Sequence, residues 1–288
     1  MIKTKLLLFL LLTISTLTAQ ISGTVKDSLT GKPIPYVNIW VENENIGTNS
    51  EVNGNFTIKA NSSQKIIFSA LGFETRTILS SKVQVVELSP KVYDLQEVIL
   101  ERRKSTNEVS FGDFSGINMN SGVTNVGQDD VHIWAKFIKS NEKIRNHPYL
   151  KSLEFKTRSR VKEALMRVRF FLADSEGNPN GDLLEEEILV SIKKGTKLNT
   201  VDVSNYNIKI PDEGIIIGFE YLKIEQNKRE YFYTVQGEKG RRKEMYYEPV
   251  ILGFFSDRSS LMILNKDGSF RSSTYGSIEI ALKMNLTN

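Results

Sequence analysis

Cysteine is absent from this chain. That excludes disulfides, thiolate nucleophiles and cysteine-ligated zinc, and with them a lipid anchor on a lipobox cysteine. Histidine occurs only twice, as His132 and His147. Ile-Trp-Ala follows the first and Pro-Tyr-Leu the second, so neither opens the H-x-x-E pair of a zinc carboxypeptidase. Two histidines without carboxylate spacing are more often structural than ligating. No G-x-S-x-G elbow, P-loop or G-x-G-x-x-G occurs. An excess of one charge is missing too. The formal charge is +4. Residues 21–100 hold 7 basic and 8 acidic side chains, and residues 101–288 hold 29 and 26. That balance gives no electrostatic footprint for nucleic acid. No catalytic residue, cofactor or metal ligand is assigned from the sequence.

Long apolar runs are confined to the start. Lys3 and Lys5 precede the apolar residues 6–12, and small polar residues follow to Gln20. This order is that of a secretory signal peptide over residues 1–20, with cleavage after Ala19 or Gln20. The run is well short of the roughly 20 residues needed to span a bilayer. With 40% hydrophobic and 25% charged residues, the remainder has the composition of globular domains.

Residues 21–100 read as short strands punctuated by turn residues. Asp27-Ser28-Leu29-Thr30-Gly31 places an acid, a hydroxyl and a glycine at turn spacing. Pro33 and Pro35 hold the next stretch extended. Val37, Ile39 and Val41 alternate onto one face, with Trp40 on the other. Asn53-Gly54 is a hairpin signal of type I′, in which both central residues take positive φ. Phe56 and Ile58 then alternate inward. Residues 65–69, 75–79, 83–88 and 93–100 complete about seven strands, as in an antiparallel sandwich.

The segments GTVKDSLTGKPIPYVNIWV, GTNSEVNGNFTI and IIFSALGFET resemble the carboxypeptidase-D regulatory-like domain, a transthyretin-like sandwich. Glu51 stands where that family often carries an Asp before its hairpin glycine. The resemblance implies an accessory β module without peptidase chemistry. The closing LQEVIL resembles the segment that joins this domain to the plug of Bacteroidetes-type nutrient receptors.

Residues 101–128 are poor in large apolar side chains and read as a linker or irregular lead-in. Residues 129–288 are β-rich without helical periodicity. The order RVRFFLADSEGNPNGDLL, then VDVSNYNIKIPDEGIIIGFEYL, resembles the C-terminal sandwich that accompanies the regulatory-like domain in small exported Bacteroidetes proteins. The expected fold is therefore all-β, a seven-strand sandwich followed by a jelly-roll-like one. Within the second, Val168, Phe170 and Leu172 share one face and Arg167 and Arg169 the other.

Four further features bear on chemistry. Residues 174–182 place oxygen-bearing side chains at every second position, as calcium loops do, but Pro179 stands where an EF-hand needs glycine and no glutamate closes the loop. Glu185-Glu186-Glu187 reads as the charged start of a strand. Lys228, Arg229, Lys239, Arg241, Arg242 and Lys243 alternate with glutamates, as on a solvated hairpin. Trp40 and Trp134 are more often packing residues than sugar platforms.

The sequence thus points to a non-catalytic exported binding or adaptor protein of the periplasm or outer-membrane periphery. Its expected partner is another envelope protein, met through exposed strand edges. Two alternatives stand beside it. A carbohydrate-binding accessory protein would show exposed aromatics on a concave face. A hydrolase would show two carboxyl groups about 5 or 6.5–9.5 Å apart in a cleft.

Overall fold

The computed structural model describes residues 20–91, 107–126, 132–237, 239–256, 260–265, 269–272 and 278–288. Two expectations fall outside them: the leader, except for Gln20, and the strand at 93–100. The protein is nearly all β, as expected.

Residues 20–91 form a sandwich of seven strands: β1 (Gln20–Asp27), β2 (Asn38–Val41), β3 (Gly47–Asn49), β4 (Asn55–Lys59), β5 (Lys65–Ser69), β6 (Arg76–Leu79) and β7 (Val85–Leu88). One layer has the order β4-β1-β7 and the other β3-β2-β5-β6. Val25, Val37, Ile39, Phe56, Ile58, Ile66, Phe68, Val86 and Leu88 fill the space between the layers. Alternation puts them there: β4 reads exposed-buried along NFTIK.

One local expectation is corrected. The Asn53-Gly54 turn does not join paired strands, because β3 and β4 belong to different layers. Only Gly54 has positive φ, at 77°. Gly54 N–H donates to Glu51 O at 2.8 Å, and the Asn53 side chain accepts from Asn55 N at 3.1 Å. The segment is a turn followed by a left-handed glycine, which lets the chain cross between layers. A Cβ on Gly54 would lie 2.5 Å from Val25 O. Trp40, read as a packing residue rather than a sugar platform, is buried. Every residue of β2 is buried, and on its second face Asn38 lies beside Arg167 and Arg169 of the other sandwich.

The second sandwich uses β8 (Glu108–Phe111), β9 (Ser121–Val126), β10 (His132–Lys139), β11 (Tyr149–Ala173), β12 (Pro179–Asp182), β13 (Ile188–Asp202) and β14 (Gly214–Tyr221). It continues with β15 (Lys228–Tyr233), β16 (Arg242–Phe255), β17 (Leu261–Asn265), β18 (Phe270–Ser272), β19 (Ile278–Ile280) and β20 (Leu282–Thr287). The short helix α1 (Glu142–Asn146) is capped by the Asn141 side chain, which accepts from Ile144 N. All 13 strands belong to one hydrogen-bonded sheet wrapped around one main core. The linker expected at 101–128 is corrected for its described part. β8 pairs with β20 and β9 with β16, so these residues belong to the second sandwich.

β11 is the spine of this sheet. Its first half pairs with β20 and its second with β14, while β13 runs along its other edge. A register shift between Ser159 and Glu163 separates the halves. Before it, Leu153, Phe155 and Thr157 point into the core; after it, Met166, Val168 and Phe170 do. The bulge therefore switches the inward positions from odd to even. On the outward face it leaves two arginine pairs, Arg158/Arg160 and Arg167/Arg169. β14, flanked by β11 and β10, is buried along its whole length.

Candidate functional site

The two sandwiches are joined tightly, and the joint is built on the outward face of the second half of β11. Arg167 is 4% exposed. Its Nη2 donates to Tyr36 O at 2.7 Å, and its Nε to Glu187 Oε1 at 2.7 Å. Its Nη1 lies 3.0 Å from Oε1 of Glu220, which is fully buried. Arg169 holds Asp182 through Nη2 at 2.6 and 2.8 Å. Its Nη1 is 3.6 Å from the second oxygen of Glu220, and its guanidinium sits over the Phe171 ring. Burial opposes the charge on Arg167, but Glu220 and Glu187 outweigh it and hold its pKa above the ordinary arginine value.

Tyr36 is the first sandwich's contribution. Its φ of 56° lies in the left-handed region, costly for a bulky side chain. Ser50 clamps the segment: its hydroxyl donates to Ile34 O at 2.9 Å and accepts from Val37 N at 2.8 Å. The Tyr36 ring packs with Leu222, Ile224 and Leu165 of the second sandwich. Two more bonds cross nearby. Lys223 N donates to Asn49 Oδ1 at 2.9 Å, and Glu225 N to Glu51 Oε1 at 3.0 Å. Burial raises the pKa of Glu51, and the Glu225 charge adds to this against the pull of the Glu225 N–H.

Beside the joint opens a cleft of about 710 Å³. One wall is the open side of the first sandwich, where β3 and β4 are the end strands of their layers. Ser22, Thr24, Asn55 and Thr57 line it and bond in cross-strand pairs, Ser22 to Thr57 at 3.0 Å and Thr24 to Asn55 at 2.8 Å. The opposite wall carries Lys223, Glu225, Lys228, Met245 and Tyr247 of the second sandwich.

The residues singled out from sequence are dispersed. His132 begins β10 opposite Asn265. His147 caps α1, with Nδ1 3.2 Å from Lys143 O. Trp134 is buried, and its indole N–H donates to Thr124 O at 3.3 Å. In the 174–182 loop, Asp174 accepts from Glu176 N and Asn178 N, while Asp182 is taken by Arg169. Among the described residues no group of three His, Asp or Glu side chains is arranged to hold a metal. Glu187 immediately precedes β13, as a charged strand start. Lys228, Arg229, Arg242 and Lys243 lie on the β15–β16 hairpin.

Sequence reasoning missed the joint. Arg167 and Arg169 carried a signal, a polar face on a strand otherwise rich in large apolar residues, but Tyr36 and Glu220 carried none. The long strand β16 was missed as well. Pro249 interrupts its pattern, and it sits where the β9–β16 register shifts, so no regular ladder bond is lost there.

Residues 21–100 match the family described as CarboxypepD_reg-like domain. Comparison with curated proteins gave no match. Among solved structures, the chain is similar to a structure of the Gx strain of infectious bursal disease virus, at 7% identity and TM-score 0.27. That match covers 93% of this chain and 59% of the viral one, so the chain spans less than two thirds of it. A VP2 mutant of the same virus gives 9% identity and TM-score 0.26, over 93% of this chain and 57% of that one. A candidate carbohydrate-binding protein from Bacteroides uniformis gives 13% identity and TM-score 0.18, over 82% of this chain and 98% of that one. At such TM-scores these likenesses establish neither fold nor function.

Proposed function

We propose that the chain is a non-catalytic binding protein, exported to the periplasm or outer-membrane periphery, that docks another envelope protein; residues 21–100 match the CarboxypepD_reg-like domain family. The domain family fits a binding role. One observation carries the finer reading: the cleft between the sandwiches opens onto the β3 and β4 edges. Edge strands present unpaired backbone groups, and an extended segment of a partner gains affinity by pairing with them. The facing wall supplies Met245 and Tyr247 for the partner's side chains. Of the charged groups that meet in space, Arg167 reaches across to Tyr36 O, and Glu187, Glu220, Asp182 and Arg169 lie around it on the second sandwich. In this reading they serve rigidity rather than proton transfer.

The test is a photo-cross-linker at exposed Thr57, compared with one at Leu29, which is 80% exposed and outside the cleft lining. The expected result in native envelope is a single protein adduct from Thr57 and none from Leu29. Equal labelling from both positions, or from neither, would overturn docking through the cleft. N-terminal sequencing of the envelope form should begin at residue 20 or 21; an intact residue 1–20 segment would overturn export by a cleaved leader.

A further inference from the structure

On its outward face the β15–β16 hairpin forms a second recess, apart from the cleft. Its two faces alternate, as in any strand pair. Met245 and Tyr247 turn to the cleft, while Tyr231, Tyr246 and Glu248 line a groove of about 270 Å³ with Arg158, Arg160, Thr124 and Val250. Tyr231 and Tyr233 lie two residues apart on one face, with ring centroids 5.7 Å apart and planes tilted by 30°. Tyr246 meets Tyr231 edge-on at 5.8 Å. The rings thus form a shelf with a raised edge.

Glu248 is 1% exposed at the groove's base. Its Oε1 accepts from Arg160 N at 3.1 Å and from the Tyr246 hydroxyl at 3.2 Å. Its Oε2 is buried and accepts no hydrogen bond from the protein. A buried carboxylate oxygen without a donor is costly. Arg158 and Arg160 are exposed, and the Arg160 side chain meets the Tyr246 hydroxyl at the groove.

We propose that this groove is a subsite for an acidic saccharide, one sugar ring bearing a carboxylate or sulfate. An aromatic shelf matches the apolar C–H face of a pyranose ring. The free oxygen of Glu248 accepts a sugar hydroxyl. Arg158 and Arg160 meet the anionic group, which guanidinium forks bind in bidentate fashion. The groove lies just below the ~300–1,000 Å³ range of small-molecule pockets, in keeping with one ring of a longer chain. The inference does not rest on the cleft, and either site can fail without the other.

The test is isothermal titration calorimetry on the full chain with tetragalacturonate and with neutral galactotetraose at low salt. Saturable binding of the acidic sugar, tighter than that of the neutral one, is expected. Tyr231→Ala should weaken both at least tenfold. Arg158→Ala should abolish the preference for the acid, and Glu248→Gln should weaken both sugars. Circular dichroism confirms that each variant is folded; Tyr231→Ala and Arg158→Ala change partly or fully exposed side chains, so they keep the test decisive if Glu248→Gln does not fold. No saturable heat with either sugar at millimolar concentration would overturn the proposal. So would unchanged binding by Tyr231→Ala, or tighter binding of a single-stranded oligonucleotide than of the sugars.

Discussion

One strand carries two arginine pairs with opposite fates. Arg167 and Arg169, after the bulge in β11, are covered by the first sandwich and engaged by Glu187, Glu220 and Asp182. Arg158 and Arg160, before it, face solvent beside the tyrosine shelf. The residue type, the i, i+2 spacing and the outward face are the same. What differs is what the rest of the chain brings against them. A guanidinium met by buried carboxylates is consumed in holding the protein together, whereas one left at the surface is available to a ligand.

The sharpest way to break this contrast is Arg167→Met. Removing one partner leaves Glu220 buried with its charge only half answered, which costs about 3–5 kcal/mol. Urea unfolding should show a loss of that order, and Arg167→Met combined with Glu220→Leu should recover most of it. A single variant as stable as the parent would mean that the joint is not electrostatically locked. Next in size is Leu222→Ala, which empties part of the apolar patch under Tyr36. It should cost about 2–5 kcal/mol and increase proteolysis at the Tyr36 loop.

A pH effect follows. The folded-state pKa of Glu51 is raised by burial. The folded state therefore holds the Glu51 proton more tightly than the unfolded state. This contribution to stability is fully present below the unfolded carboxylate pKa and is lost as pH rises through the higher folded value. Glu51→Gln keeps an oxygen for Glu225 N–H, so it should flatten the Tm profile above about pH 4.5. An unchanged slope would remove Glu51 from the joint's pH response. The smallest change is expected from Arg158→Ala, within about ±0.5 kcal/mol of the parent by the same urea titration. A loss as large as that of Arg167→Met would erase the distinction between the two pairs.

Much of the first sandwich was legible because short strands with turn residues between them leave few alternatives. Phe56, Ile58, Ile66 and Phe68 are inward as their alternation required. The short strand β3, Gly47–Asn49, was not legible, since three residues without a large apolar side chain leave no period to read. In the second sandwich the alternation of Leu153, Phe155 and Thr157 was readable, and so was that of Val168 and Phe170. Their continuity in one strand was not, because the bulge at 159–163 resets the parity. The candidate sites depended on distant residues meeting. Tyr36 and Arg167 are 131 positions apart, and Tyr231 and Arg160 come from different strands. No local pattern encodes such meetings.

The β15–β16 hairpin is a partition. Its alternating side chains turn Met245 and Tyr247 into the cleft and Tyr231 and Tyr246 into the groove. A protein segment seated in the cleft and a sugar seated on the tyrosine shelf would therefore lie back to back, with one strand pair between them. Shifting the hairpin register by one residue would exchange the two linings, because every side chain would change face.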